Sequence, residues 1–298
     1  MANTDVGVAA GGLGKTIAAA IVQFNKAAVT PDLISMVAAV KGSNTVQFPV
    51  YSKLAVSAVT NEATGDEDTE VSATSITTAA TSVEILRNHI NARVTDLAAH
   101  GNADALMVNA GQVLGNAVAA EFDANICARF DAFATSKGTS TEGLRFLDIM
   151  DAVASLEAND APRPYAAVLH PQQMYGSFGL SNELGQVAAV NGSNGAFAGG
   201  TSAAEAFLSA GFVTSMAGVN FYTSPQVIDG ADATEKKGAV FAKTALGAGY
   251  IDFGGGNFIE MRTERNELGA STNLVANGYW NSAELVDLHG VEIHTEIS

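Results

Sequence analysis

The sequence is poor in cysteine, in basic residues and in long apolar runs. Cys127 is the only cysteine in 298 residues, which excludes an internal disulfide and is typical of a reducing compartment. Lysine and arginine number 15 against 31 aspartate and glutamate residues, so the net charge is −16. Because nucleic-acid binding needs clustered cations, this composition argues against it. No apolar run approaches the roughly 18 residues of a membrane span, so we expect no contact with a membrane.

The most regular stretch is a long helical pattern, which predicts a helix over residues 103–136. Asn102 is suited to be its N-cap, and Gly138 to follow its last turn. Small or apolar side chains cover most of its circumference, and we expect a neighbouring element to approach closely at Ala117 and Ala120. At about 1.5 Å per residue the helix would be roughly 50 Å long, well beyond the radius of gyration of about 19 Å expected for the chain. This favours a structural strut over the core helix of an enzyme.

A change of hydrophobic period to two predicts a long two-stranded ribbon over residues 43–82. Its middle is the sequence TNEATGDEDTE, which carries five acids and no base. The ribbon has too few apolar residues to bury either face in its own domain, and an isolated ribbon is only marginally stable. We therefore expect the ribbon to lie on another molecule. Over the rest of the chain, helical and strand patterns occur in blocks, among them a short buried strand over Tyr165–Leu169, which predicts an α+β fold.

One segment fits a nucleotide-binding motif. The sequence AAGGLGKT, residues 9–16, matches a loose phosphate-loop pattern. Only eight residues precede it, and they are not a convincing buried strand, which a working loop requires. A P-loop nucleotide-binding enzyme therefore stays open as a remote alternative, and an arm that leads into a helix is the favoured interpretation.

Candidate catalytic and metal-binding residues do not form a recognisable set. His289 and His294 are five residues apart on a predicted strand and would point to opposite faces. Asp66, Asp68 and Glu70 could share one face of the ribbon and hold calcium, but their spacing lacks the glycine and final glutamate of an EF-hand. The sequence has neither a Gly-x-Ser-x-Gly elbow nor a His-Glu-x-x-His motif. We predict no catalytic residues, no cofactor and no metal, and hence a protein that is not an enzyme.

The order of these elements resembles that of the major capsid (coat) proteins of tailed double-stranded-DNA bacteriophages, which have the Hong Kong 97-type fold. Four local sequences are similar to stretches of phage coat proteins: ARVTDLAAHGNADAL, YAAVLHPQQMYG, SAGFVTSMAGVNFYTSP and YWNSAELVDLHGVEIHTEI. The resemblance in element order covers nearly the whole chain. It implies an N-terminal arm (1–42), an extended loop or E-loop (43–82), a peripheral domain (83–165 and 256–275) that contains the spine helix, and an axial domain (166–255 and 276–298).

The resemblance also implies a function. Such subunits form pentamers and hexamers that close into an icosahedral head around double-stranded DNA, and the virion is assembled in the host cytoplasm. A separate scaffolding protein and a portal protein are implied as partners, and a decoration protein is a further option. An encapsulin-like protein nanocompartment, which encloses protein cargo, resembles the same fold and is the main alternative.

The ribbon is then expected to lie across the peripheral domain of an adjacent subunit. The contact residues predicted at its acidic tip are Glu62, Asp66, Glu67, Asp68 and Glu70. Their predicted basic partners on the adjacent subunit are Arg87, Arg93, Arg145, Arg262 and Arg265.

The AAGGLGKT segment leads to a test of the nucleotide-binding alternative. Lys15→Ala should leave assembly largely intact and should remove no ATP hydrolysis, because the segment lacks the strand that would turn it into a phosphate site. Equilibrium nucleotide binding to the wild type and to the variant measures this. Nucleotide binding that depends on Lys15 would show the prediction to be wrong.

Overall fold

The computed structural model describes residues 19–24, 27–51, 75–76, 78–182, 215–216, 218–254 and 258–297, with the backbone alone for 97–108 and 215–216. Its α-helices beyond the helical residues 19–24 are α1 (Asp96–Cys127), α2 (Phe146–Ala158) and α3 (Pro171–Tyr175). Its strands are β1 (Ser35–Ala38), β2 (Thr45–Tyr51), β3 (Thr78–Glu84), β4 (Leu86–Thr95), β5 (Ser136–Lys137), β6 (Tyr165–Leu169), β7 (Ser215–Met216), β8 (Val219–Thr223), β9 (Glu235–Ala242), β10 (Leu246–Tyr250), β11 (Ile259–Asn266), β12 (Ser271–Glu284) and β13 (Gly290–Glu296).

The long helix is present, but both of its predicted ends are wrong. It begins at Asp96 directly after β4, with Thr95 as the N-cap residue, because Asp96 is held by the hairpin between β11 and β12. It ends at Cys127, after which a 3-10 turn at Phe130–Ala132 buries Phe130 in the core. A helix of 32 residues is about 48 Å long, so the predicted length of the strut holds.

The first sheet is built around β12, the longest strand. β4 pairs with residues 271–280 of β12, and β11 and then β10 pair along the opposite edge of the same strand. β1 adds to β10 in parallel. Helix α1 packs on one face of this sheet through a cluster of aromatic rings, in which the ring centroids of Phe122 and Trp280 are 5.7 Å apart. This cluster fixes the helix across β12.

The second sheet has the strand order β5-β13-β9-β6-β8-β7 and packs against α2. All five residues of β6 are buried, which confirms the predicted buried strand Tyr165–Leu169. The apolar side of α2 contributes Ile149, Val153 and Leu156 to the second core. The core under α1 also includes residues of the second sheet, Ala166 and Val168 of β6 and Phe241 of β9, so it joins the two sheets. The strand β12 continues across residue 275, where the sequence predicted a domain limit. The predicted domain division itself stays a prediction.

The N-terminal segment is tethered to α1 through one buried carboxylate. Asp123 is 3% exposed and accepts hydrogen bonds from the backbone N–H groups of Val29 (3.0 Å) and Thr30 (3.1 Å) and from the Thr30 hydroxyl (2.6 Å). One side of the same helix approaches residue 20 so closely that a Cβ at Gly115 would lie 2.4 Å from the Ala20 carbonyl oxygen.

Close packing on α1 was thus predicted at the wrong small residues. Gly115 and the buried Ala119 are in close contact with other elements, whereas Ala117 and Ala120 are only half-buried. The periodicity of the sequence places all four on a mostly apolar helix, and only the direction of the N-terminal segment decides which of them is covered.

The base of the predicted ribbon is present, because β2 and β3 pair from Thr45–Glu84 out to Tyr51–Thr78. One expectation about it is wrong: the base buries one face in its own subunit, where Val46 and Phe48 are each 5% exposed. They pack against two glycines of β10, at which a Cβ would lie 3.0 Å from the Phe48 ring (Gly247) and 3.1 Å from Val46 (Gly249). The tip acids Glu62, Asp66, Glu67, Asp68 and Glu70 lie outside the described residues, as does the AAGGLGKT segment.

The tether at Asp123 gives a prediction about stability. Asp123→Ala would leave the N–H groups of Val29 and Thr30 without an acceptor, and should lower the free energy of unfolding of the unassembled subunit by about 1–3 kcal/mol. Asp123→Asn keeps an acceptor oxygen and is the matched control, expected to lose much less stability than Asp123→Ala. Urea denaturation measures both variants, and equal losses for alanine and asparagine would contradict the tether.

The difference in unfolding free energy between the wild type and Asp123→Asn should also depend on pH. Burial raises the pKa of the Asp123 carboxyl from its ordinary value of 3.8, and three hydrogen-bonding groups only partly offset this. A folded-state pKa above the unfolded one means that ionisation disfavours the folded state. The wild type should therefore lose stability relative to Asp123→Asn as the pH rises above 3.8, with the full difference reached once the pH exceeds the raised pKa.

Candidate subunit interface

Strand β4 presents two arginines and a histidine on an uncovered edge of the first sheet. Its exposure alternates, so that Arg87, His89 and Arg93 are exposed on the face that points away from α1. Within the described ranges β4 pairs only with β12, so its other edge has free backbone groups. A ten-residue edge strand of this kind is a surface on which another chain can dock. On a chain of net charge −16, this strand carries two arginines and no acidic residue.

The structure brings three of the five predicted basic partners onto one sheet face. Arg87 and Arg93 lie on β4, and Arg262 lies on β11 across the same face. Arg265 lies on the opposite face, where it pairs with Asp96 at the start of α1 (2.7 Å). Arg145 is not brought to this face, since it precedes α2 beside the second sheet and pairs with Glu142.

These arginines differ in the hydrogen bonds and ion pairs that they already make within the subunit. Arg87 donates through Nε and Nη2 to the Asn277 side-chain oxygen, at 3.1 and 2.8 Å. Arg262 pairs with Glu260 at 2.7 Å, and this hydrogen bond raises the pKa of the Arg262 guanidinium. Arg93 has no hydrogen-bond or ion-pair partner in the part of the chain that the structure describes. The least compensated positive charge of this face is therefore on β4.

A cleft of about 480 Å³ opens beside this row, between β4 and α1. Its lining residues are Arg87, Asn88, His89, Ile90, Ala117, Val118, Glu121 and Trp280. Trp280 is 1% exposed, and its indole N–H has no hydrogen-bond acceptor among the described residues. The sequence pattern does not predict this cleft. The available signals were the single tryptophan of the chain and the glycine two residues before it, but neither shows that a space lies next to the ring.

Gly278 determines the position of the Trp280 ring. A Cβ at Gly278 would lie 1.7 Å from Cζ3 of the indole, so the ring lies directly on the glycine backbone. Residues 278 and 280 are on the same face of β12, and no other residue type leaves room for the ring there. The indole is therefore held by the glycine on one side and by Phe122 and Phe258 elsewhere in the cluster.

The titratable groups of the described residues do not form a reactive centre. Burial, and secondly the Asp123 carboxylate, raise the pKa of the Cys127 thiol far above its usual range, which leaves it unreactive. His170 follows β6, and its Nδ1 accepts the N–H of Gln172, so it caps α3. No group of three histidine, cysteine or acidic side chains could hold a metal ion within the described ranges. In the same ranges, no helix has the length and apolarity needed to cross a membrane.

Gly278 allows a direct test of this arrangement. Gly278→Ala should force the indole out of its position, shift its fluorescence emission to longer wavelength and lower the free energy of unfolding by about 1–3 kcal/mol. The emission reports on Trp280 alone because the chain has one tryptophan. Gly269→Ala is the control, since its Cβ would meet only the Asn266 side chain, at 3.1 Å. An unchanged spectrum and melting curve for Gly278→Ala would contradict the described packing.

Comparison with known proteins shows similarity at the level of the fold. No family model matches the sequence, and no curated protein matches it either. Among solved structures, the capsid of Ralstonia phage GP4 is similar over 89% of this chain and 87% of that chain, at 14% identity and a TM-score of 0.66. The head structure of Helicobacter pylori bacteriophage KHP40 is similar over 92% of both chains, at 10% identity and a TM-score of 0.63.

A further similar structure is not described as a phage head. A virus-like particle from Pyrococcus furiosus is similar over 94% of this chain and 98% of that chain, at 11% identity and a TM-score of 0.55. At such identities a structural likeness establishes the fold alone. The chain has the mixed helix-and-sheet fold of phage capsid proteins over about nine tenths of its length.

Proposed function

We propose that this chain is the major capsid protein of a tailed double-stranded-DNA bacteriophage, with the Hong Kong 97-type fold. The observation that carries the proposal is the extent of the likeness to phage capsid structures. It covers about nine tenths of this chain and about nine tenths of each compared chain. In this proposal the chain assembles as pentamers and hexamers into an icosahedral head that encloses the DNA. Its domains are the N-terminal arm (1–42), the E-loop (43–82), the peripheral domain (83–165 and 256–275) and the axial domain (166–255 and 276–298).

The charge of the chain supports this function on physical grounds. A wall that lines compressed DNA should not adsorb it, and a subunit of net charge −16 repels phosphate. Like-charged subunits also repel one another at low salt, which disfavours premature association. The protein acts in this proposal as a structural component of the virion, is not an enzyme, and is assembled in the host cytoplasm.

The proposed partners are further copies of the chain, a separate scaffolding protein, a portal protein and, as an option, a decoration protein. Several large apolar side chains are exposed in the subunit, which supports contact with other copies. Leu268 at the tip of the β11–β12 hairpin is fully exposed, and Leu147 on α2 is 61% exposed. Such side chains would be covered in a shell.

We place the acidic ribbon tip of one subunit on the β4 face of its neighbour. The face carries Arg87 and Arg93, and Arg93 has no partner in the described part of its own subunit. Each exposed ion pair is worth only about 0–1 kcal/mol. The contact repeats at every subunit boundary, so these small free energies add up over a shell.

A protein nanocompartment of the encapsulin type is the second candidate. The likeness to the virus-like particle from Pyrococcus furiosus, which covers 94% of this chain, favours it. The two functions differ in what the shell contains, namely double-stranded DNA or a folded protein. Cryo-electron microscopy of particles purified from the native source, together with nuclease and protease treatment of their contents, separates them.

The function is tested by expressing the chain alone and with its scaffolding protein. Electron microscopy should then show closed shells built from pentamers and hexamers. A protein that stays monomeric under all assembly conditions and with scaffold would contradict both shell functions.

The ribbon tip gives a prediction about assembly. Asp66→Ser combined with Asp68→Ser should leave the melting temperature of the unassembled subunit nearly unchanged, because these side chains are expected to act between subunits. The same variant should form fewer or less stable shells, measured by sedimentation and by denaturant-induced disassembly. Asp151→Ser combined with Asp232→Ser changes the net charge equally on exposed sites of the second sheet unit, and serves as the matched control.

Two outcomes would contradict the proposed contact. The first is a tip variant whose isolated subunit is destabilised, which would mean that the tip packs on its own chain. The second is equal weakening of the shells by the tip and control variants, which would mean that only the net charge matters.

A further inference from the structure

The middle of β12 contains an Asn-Gly dipeptide, Asn277–Gly278, which is a reactive sequence in an unfolded chain. There the backbone nitrogen of the glycine can attack Cγ of the asparagine, because glycine has no Cβ to obstruct the approach. Both residues are required by the packing, since the Trp280 ring lies on Gly278 and Arg87 donates two hydrogen bonds to the Asn277 side-chain oxygen. The fold thus keeps a reactive pair in its longest strand.

The reaction of this pair needs no reagent other than water. The Gly278 N–H gives its proton to the solvent, its nitrogen bonds to Cγ of Asn277, and the bond between Cγ and Nδ2 breaks. The side-chain nitrogen takes up a proton and leaves as ammonia, and a succinimide ring remains in the backbone. Water then opens this ring at either of its carbonyl carbons, which gives aspartate or isoaspartate at position 277.

The hydrogen-bond pattern of the sheet shows which strand holds the attacking nitrogen. At the end of the ladder between β4 and β12, the N–H of Asp96 donates to the Ala270 carbonyl oxygen (2.9 Å). In an antiparallel ladder, pairs that exchange hydrogen bonds alternate with pairs that do not. Counting back from Asp96 in steps of two places Asn88–Gly278 among the hydrogen-bonded pairs. The Gly278 N–H therefore donates to the Asn88 carbonyl oxygen and is withheld from the reaction.

The same strand also holds the group that would be attacked. Arg87 donates from Nε and Nη2 to the Asn277 side-chain oxygen, at 3.1 and 2.8 Å, and Asn277 is only 6% exposed. These two hydrogen bonds keep the side-chain amide on the sheet face that points away from α1. Two neighbouring residues of β4, Arg87 and Asn88, thus restrain both reactants.

The strand with this double role is an edge strand. Within the described ranges β4 pairs only with β12, so one ladder of hydrogen bonds holds it in the sheet. Native proteins open locally at a lower cost in free energy than global unfolding requires. Separation of β4 from β12 would free the Gly278 N–H and the Asn277 side chain at the same time.

We propose that Asn277 is a latent modification site, guarded by β4, which forms a succinimide and then aspartate or isoaspartate only when β4 separates from β12. Isoaspartate adds a carbon atom to the main chain, so β12 can no longer keep its register with both β4 and β11. Trp280 then loses its position against Phe122. The site makes a transient opening of the sheet edge permanent.

The test compares the full-length, unassembled subunit with a synthetic peptide of residues 273–281, NLVANGYWN, at mildly alkaline pH. The peptide lacks β4 and should form the succinimide freely. The folded subunit should convert Asn277 at least about a hundredfold more slowly, because each reaction requires an opening. The sequence has two further Asn-Gly pairs, at 191–192 and 194–195, so peptide mapping by mass spectrometry must locate the product.

Two proline variants of β4 isolate the role of the pairing. In this ladder the N–H groups of even-numbered β4 residues point to β12, and those of odd-numbered residues point to the open edge. Asn88→Pro removes a hydrogen bond of the ladder and should accelerate the conversion of Asn277 about tenfold. His89→Pro removes an N–H at the open edge and is the matched control, expected to change the rate little.

A measurement on the wild type covers the case in which Asn88→Pro does not fold. Urea at concentrations below the unfolding transition should accelerate both the conversion of Asn277 and the hydrogen exchange of the Gly278 amide. The two rates should rise together, because the same opening of β4 controls both.

Three results would overturn the proposal. Conversion of the folded subunit at the rate of the peptide would mean that the ladder does not protect Asn277. An unchanged rate in an Asn88→Pro subunit with a native circular dichroism spectrum would mean that the pairing with β4 is not the guard. Conversion that responds to urea only across the global unfolding transition would mean that β4 does not separate on its own.

Discussion

The packing of α1 across β12 is the contact on which the rest of the structure depends. Phe122 and Trp280 meet at the crossing, and the ring of Trp280 can lie there because residue 278 is glycine. From this crossing β12 extends in both directions and pairs with β4, β11 and β10, so it organises the whole first sheet. The N-terminal segment attaches to the same helix through Asp123. A substitution at the crossing would therefore disturb four separate parts of the chain, namely β4, β10, β11 and the N-terminal segment.

The sequence predicted the elements better than their contacts. The strut, the ribbon base and the buried strand Tyr165–Leu169 follow from hydrophobic period, which depends only on neighbouring residues. The ends of α1 were missed because they are decided by distant residues: Ala270 accepts the N–H of Asp96, and Phe130 turns into the core. The burial of the ribbon base was missed because glycines two hundred residues away provide the space. The cleft could not be predicted, because it forms only where distant elements pack together, and no local residue pattern indicates the empty space between them.

The proposed interface is inferred from the surfaces that the subunit leaves uncovered. A monomer of this composition keeps an open edge on β4, a cationic row beside it and exposed leucines on two further surfaces. In a soluble enzyme such features would reduce solubility and serve no purpose. In the proposed shell they would be the surfaces through which copies recognise each other, and their weak individual free energies would allow incorrect contacts to dissociate before the shell closes.

The two glycines beneath the ribbon, Gly247 and Gly249, influence the position of the far end of the ribbon. The seven residues of β2 form a lever roughly 23 Å long, at about 3.3 Å per residue. A tilt of about 10° at its base would displace its far end by about 4 Å, more than the length of a hydrogen bond. A side chain larger than hydrogen at either glycine would impose such a tilt by pushing on Val46 or Phe48. In the proposed shell, these two residues beneath the ribbon would thus influence the direction in which the ribbon reaches a neighbouring subunit.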